Sequence, residues 1–179
     1  MLAKRALIAH PACEAPDITV GAKATLMGRD VLKIEYVIIG RIAQLRLPPP
    51  GEPARADGLW QHSCFEAFVG LGEGYAEFNF APSRCWAAYR FDRYREGMAM
   101  MLRQPAPDIF VDNEGSRFVQ AVFVDCAALS GDWRRIGLSA VIEDVEGRKS
   151  YWALAHPPGK PDFHDAACFA IELPAPSLP

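Results

Sequence analysis

Hydrophobic and polar residues alternate along most of this chain. Ile18, Val20, Ala22, Ala24 and Leu26 interleave with Thr19, Gly21, Lys23 and Thr25, as in a strand with one buried face. Residues 31–39 repeat the pattern, with Leu32, Ile34, Tyr36 and Ile38 on one side. The run RIAQLRL (41–47) reads as a further strand, and PPPGEPARADG (48–58) as a loop whose prolines cannot sustain a ladder. Segments 63–71, 74–82 and 85–91 then follow closely, separated by Gly and Pro turns, and predict an antiparallel meander. Further strands are expected at 117–124, 136–142, 149–155 and 168–173, with EDVEGRKS (143–150) turning a hairpin. Helical periodicity is confined to two short candidates, 91–102 and 125–131. Roughly ten short strands with regular turn signals predict an all-β fold, a single antiparallel immunoglobulin-like β-sandwich over residues 1–179. The proline-rich end, PAPSLP, is expected to be a loose tail.

Within the meander, alternation sorts the side chains. Glu77 and Asn79 share one strand face, and Phe78 and Phe80 the other. Two phenylalanines on one side define a core, which leaves Glu77 and Asn79 facing solvent or forming the wall of a pocket. Likewise Trp86, Ala88 and Arg90 point opposite to Cys85, Ala87, Tyr89 and Phe91. Glu66 lies within CFEAF, beside Cys64 and Phe68 on its own face. A carboxylate in so apolar a run needs a partner or a shifted protonation equilibrium. Arg90 is one partner on offer, and a ligand is the other. Trp60, Trp86, Tyr89, Tyr151 and Trp152 supply flat faces on which a sugar ring can stack, and Asn79, Glu66, Glu77 and Arg90 supply hydrogen bonds to hydroxyls.

Two of the four histidines bracket HPPGKPDFH (156–164). His156 and His164 with Asp162 or Asp165 form one candidate metal set, although this histidine spacing matches no common ligand pattern. The other reading is a proline-stiffened loop that places His156 and His164 at the rim of a pocket. No resident metal or cofactor is expected.

Composition narrows the function classes. The net charge is −3 and no basic stripe appears, which argues against a nucleic-acid partner. No apolar run approaches the roughly 18 residues of a membrane span, and the stretch before His10 is too short for a signal-peptide core. Cys13, Cys64, Cys85, Cys126 and Cys168 are scattered, with no CxxC pair, and read as reduced thiols. A cytoplasmic location is therefore expected. No P-loop, dinucleotide fingerprint, HExxH or G-x-S-x-G is present, and GLGEG (70–74) reads as a hairpin turn. Glu66 and Glu77 are the one pair that imitates a glycosidase's carboxyls, and sequence alone does not fix their separation. The chain is expected not to be an enzyme.

The stretch DGLWQHSCFEAFVGLGEGYAEFNFAPSRCWAAY (57–89) resembles the central segment of the DOMON superfamily, which includes the family-nine carbohydrate-binding modules and a bacterial DOMON-like group. The elements that carry the resemblance are Trp60, Glu66 with Phe68, the run Glu77-Phe78-Asn79-Phe80-Ala81-Pro82, and Trp86. Residues 136–173 resemble the closing strands of the same group, so the likeness covers about two-fifths of the 179 residues. Sugar-binding relatives carry acidic residues after the tryptophan, some of which help hold a metal ion; here Gln61-His62-Ser63 stands in their place and offers few oxygen ligands. The resemblance implies a non-catalytic module that binds a carbohydrate-like small molecule. Trp60, Trp86 and Tyr89 would stack on it, Glu66, Glu77, Asn79 and Arg90 would select hydroxyls, and His156 and His164 would edge the pocket. It implies two alternatives as well. One is a haem-binding redox module using Met98, Met100 or Met101 with His164. The other is an interaction module that joins a partner or a homodimer through an exposed sheet face or edge.

Overall fold

Alternation becomes strands almost wherever it is continuous. A computed structural model describes residues 5–129 and 133–173. Its strands are β1 (Arg5–Ala9), β2 (Ile18–Met27), β3 (Val31–Gly40), β4 (Ala54–Arg55), β5 (Cys64–Leu71), β6 (Gly74–Phe80) and β7 (Cys85–Phe91). They continue with β8 (Ala99–Met100), β9 (Asp108–Glu114), β10 (Arg117–Asp125), β11 (Arg135–Glu143), β12 (Lys149–Ala153) and β13 (Ile171–Glu172). The main path runs β4-β7-β6-β5-β11-β12-β1-β2-β3-β10-β9, with β13 added to β11 and β8 to β7.

Strand β1 is the corner of this sheet. Arg5, Ala6 and Leu7 pair with β2, whereas Ile8 and Ala9 pair with β12. The sheet therefore curls, and β2, β3 and β10 come to face β5, β6 and β7 across one core. Phe65 on β5 stacks on Phe118 of β10 with centroids 5.6 Å apart. Beside them the Tyr36 hydroxyl donates to the backbone oxygen of Glu66 at 2.7 Å, joining the halves by a hydrogen bond. Fully burying each such ring contributes on the order of 1.5–3 kcal/mol. The observed architecture is mostly β, a curled mixed sheet. It departs from an all-antiparallel arrangement at β4 and β7, which pair in parallel.

Three local expectations are corrected. Residues 41–47 do not form a strand. Ile42–Gln44 is a single 3-10 turn, and Ile42 and Leu45, three apart, bury the same side. A strand would have sent those two side chains to opposite faces. The segment 91–102 is not helical either. Gly97, at φ +67°, and Arg95, at φ +55°, break it into a tight turn, after which Ala99–Met100 pairs with β7. Over 125–129 there is one turn, with Leu129 N–H bonded to the Cys126 carbonyl, and no helix; the rest of that candidate and the PAPSLP tail lie outside the described residues. Strands β1 and β9 were not anticipated from the pattern. At the other end, the expected strand over 168–173 shortens to β13, preceded by a 3-10 turn at Ala166–Cys168.

The outer face of β5, β6, β7, β11 and β12 is not left to solvent. Phe68, Tyr75, Tyr89, Phe91 and Val141 form a second apolar layer there, covered by Phe163, Cys168 and Phe169 of the loop after β12. The candidate site is set into this second layer.

Candidate functional site

Strand register builds the floor. Ser139 on β11 faces Glu66 on β5, Glu66 faces Asn79 on β6, and Asn79 faces Ala87 on β7. One row along, Phe68 faces Glu77 and Glu77 faces Tyr89. All of these side chains share the outer face, because each pair is directly opposed and the side-chain period is two. Glu66 and Glu77 are thus diagonal neighbours across β5 and β6, about 7–8 Å apart between Cα atoms.

A cavity of about 520 Å³ opens above them. Glu66 and Glu77 form its polar floor, while Trp60, Phe91, Val141, Tyr151 and Phe163 contribute apolar surface. Arg95, Lys149 and His164 bring basic groups to its sides, and Met98 and Gln61 edge it. The glutamates are 3% and 5% exposed, so they are desolvated yet border open space.

The hydrogen bonding is incomplete in a specific way. Asn79 Nδ2 donates to Glu77 Oε1 at 2.9 Å. Among the described residues nothing donates to the Glu66 carboxyl. Asn79 Oδ1 and Ser139 Oγ, both buried beside Glu66, also have no protein partner. Buried polar atoms are nearly always bonded, so these two beside Glu66 are exceptions within the second layer. Burial, and then the neighbouring Glu77, hold Glu66 well above the usual carboxylate range. Burial also raises Glu77, opposed by the Asn79 hydrogen bond and by Arg95.

The side wall is a fixed network. Arg95 N–H donates to the Tyr75 hydroxyl oxygen at 3.2 Å, and the same hydroxyl shares a hydrogen bond with His164 Nδ1 at 2.7 Å. His164 Nε2 faces Glu77 Oε2 at 3.9 Å, beyond hydrogen-bond length. Burial, aided by Arg95, lowers His164 to about 4, so it is neutral at pH 7. Asp162 fastens the wall by accepting from Arg95 Nη2 at 2.8 Å, from the Tyr94 hydroxyl and from the His164 backbone N–H.

The structure therefore brings together Glu66, Glu77, Asn79 and His164, with Trp60 at the rim, 38% exposed, its ring edge-on to Tyr89 at 6.0 Å. Tyr89 supports that corner from within the second layer, its hydroxyl bonded to Asp57. It does not bring Trp86 or Arg90 to the cavity. Trp86 faces the main core beneath the Arg55 guanidinium, 4.0 Å from its ring centre, and Arg90 points outward from the same face. Arg90 cannot be the partner of Glu66, because strand parity places them on opposite sides of the sheet. His156 is likewise separate from His164. Its Nε2 donates to the Ile8 carbonyl at 2.7 Å and its ring meets His10, so it closes the loop onto β1. The set of His156, His164 and Asp162 or Asp165 does not converge on a common point.

Haem does not fit these residues. The free nitrogen of His164 faces Glu77, and the space before it is floored by two carboxyls where a porphyrin face needs apolar contact. Arg95 and Phe163 reach the site from loops and carry no signal in the alternation, Tyr75 shares the Glu77 face of β6 and was legible by parity, and Asp162, expected only as a metal ligand, instead fastens the wall. Tyr151 was singled out only as an aromatic, and its strand parity is what places it here.

No family model and no curated protein matches the chain. Solved structures do. A protein of inferred carbohydrate-binding function from Bacteroides uniformis superposes with a TM-score of 0.66 at 12% identity, over 96% of this chain and 86% of that one. A family 9 carbohydrate-binding module from Caldicellulosiruptor kristjanssonii, solved with glucose, gives 0.52 at 10% identity, over 92% of this chain and 81% of that one. The same organism's module with cellotriose gives 0.54 at 11% identity, over 92% and 79%. At these identities the likeness is one of fold: the chain has a carbohydrate-binding-module-like fold.

Proposed function

We propose that this protein is a non-catalytic, DOMON-like module, a single domain, that binds a carbohydrate-like small molecule in the cavity above Glu66 and Glu77. The observation that carries the reading is the floor itself. The carboxyls of Glu66 and Glu77 line the bottom of an aromatic-walled concavity, with the buried, unpartnered Asn79 Oδ1 and Ser139 Oγ beside Glu66. A sugar presents that combination in reverse, with hydroxyls for the floor and an apolar ring face for Tyr151 or Trp60. The fold shared with carbohydrate-binding modules supports the same reading. Free thiols at Cys13, Cys64, Cys85, Cys126 and Cys168 support a reducing, cytoplasmic location.

The absence of catalysis is argued from the carboxyls. A glycosidase needs an acid and an ionised base or nucleophile, set on either side of a scissile bond and driven apart in pKa. Here both carboxyls lie side by side on one sheet face, and burial raises both. Such a pair lies on one side of anything bound above it, where it orients hydroxyls rather than flanking a scissile bond.

Calorimetric titration with glucose, cellotriose and other saccharides tests the proposal. Saturable binding is expected, weakened at least about tenfold, or about 1.4 kcal/mol, by Tyr151→Ala and left unchanged by Arg90→Ala on the opposite face. No binding to any saccharide, or equal losses in the two variants, overturns it.

A further inference from the structure

We infer that the group recognised at the floor of this cavity is a primary ammonium seated against Glu66 and Glu77, so that the preferred saccharide is an amino sugar. The inference rests on the carbohydrate reading and adds the chemical class of the ligand.

Matching donors to acceptors leads there. One Asn79 amide N–H is engaged by Glu77 Oε1, the Tyr75 hydroxyl by His164, and the Tyr89 hydroxyl by Asp57. What remains open at the floor is carboxyl oxygen: the Glu66 carboxyl, to which no described residue donates, and Glu77 Oε2, 3.9 Å from His164 Nε2. A neutral hydroxyl brings one proton and satisfies one of these oxygens. An ammonium brings three donors, no lone pair and a positive charge. Donor number and charge both favour it.

The surroundings fit a cation. Trp60, Tyr151 and Phe91 line the space above the floor, and aromatic rings attract a nearby cation. The basic groups nearby do not offset the pair. Arg95 is held by Asp162 at 2.8 Å with half its side chain in water, Lys149 is exposed at the mouth, and His164 is neutral. Cys64 shares the Glu66 face and its thiol is also raised by burial, so it adds no charge. Without ligand, burial favours the protonated form of both glutamates, and for Glu66 the neighbouring Glu77 adds to it. The ammonium takes the place of that positive charge, and a proton leaves to the buffer as it binds.

Titration calorimetry of the intact protein with glucosamine, glucose, N-acetylglucosamine and putrescine, in two buffers of different ionisation heat, decides the matter. The expected result is glucosamine binding at least about tenfold tighter than either neutral sugar, with proton release seen as a buffer-dependent heat. Glu66→Gln, which keeps the shape of the protonated acid, is expected to erase that preference while melting as cooperatively as the parent. Glucose or N-acetylglucosamine binding as tightly as glucosamine overturns the ammonium and leaves the carbohydrate reading standing. Putrescine binding with no sugar bound supports the ammonium seat and removes the saccharide. No binding by any of the four overturns both.

Discussion

His164 and Glu66 are both kept neutral by burial, and the consequences for stability run in opposite directions. The folded His164 titrates at about 4, below the roughly 6.5 of a free imidazole, so the unfolded chain takes up the proton first. Its contribution is complete above about pH 6.5 and is lost as the pH falls toward 4. Glu66 is shifted the other way. Its contribution is complete below the ordinary glutamate value of about 4.3 and is lost as the pH rises through its raised value. Between these limits the two slopes oppose each other, so only variants separate them. Melting curves across pH 4–9 are expected to show Glu66→Gln gaining on the parent as pH rises. His164→Gln is expected to lose most to the parent near neutrality, with the gap closing in acid. A gap independent of pH in either variant would remove burial as the cause of that shift. At this scale the sequence was informative wherever parity alone decides. Alternation put Glu77 with Asn79 and away from Phe78, and it also put Trp86 and Arg90 opposite Tyr89, a separation that follows from counting by two. What parity does not reveal is register, which makes Glu66 the neighbour of Asn79, or the loops that carry Arg95 and Asp162 to the wall.

Among the elements, the β5–β6 hairpin positions most of the floor. Gly72 turns it at φ +72°, and Gly74 starts β6 against the end of β7. A Cβ at Gly74 would lie 2.2 Å from the Phe91 carbonyl oxygen and 2.9 Å from that of Asp92, both backbone atoms that move only if β7 moves. Gly74→Ala is expected to cost about 1–3 kcal/mol, the range for forced overpacking, and to lower the melting temperature by roughly 2–4 °C per kcal/mol. Gly51→Ala is the control. Its Cβ would meet only the Ser83 carbonyl at 3.8 Å, and its effect is expected within about 0.5 kcal/mol. Equal melting shifts would show that β7 yields to the added methyl. Hairpins such as this one were legible because long alternating runs meet at glycines. The segments that resisted reading lack one dominant period. In 41–47 a spacing of three competes with a spacing of two, and in 91–102 Gly97 interrupts an apparent helical face. Strand β9 is an edge with acidic residues at both ends, so its sequence carries little burial signal.

Seen as a whole molecule, the site depends on a half of the sheet that never touches it. The floor strands β5 and β6 bury their other face against β3 and β10, through Phe65 on Phe118 and through the Tyr36 hydroxyl on the Glu66 backbone. If one core holds both halves, damage on the far side must unfold the near side in the same step. Phe118→Ala tests this, because it removes a fully buried ring from β10 while leaving every cavity residue in place. The expected cost is about 3–5 kcal/mol. Trp60, Trp86 and Trp152 lie in or beside the half that carries the site and Trp133 just before β11 of the same half, so their fluorescence reports on that half and the core behind it, whereas far-UV circular dichroism reports on the whole sheet. Denaturant curves from the two signals are expected to coincide in the parent and to shift together in Phe118→Ala, as a two-state domain requires. If fluorescence kept its midpoint while circular dichroism moved, the halves would be separate folding units. The corner at β1 would then be a hinge between them, and the pocket would owe nothing to the core behind it.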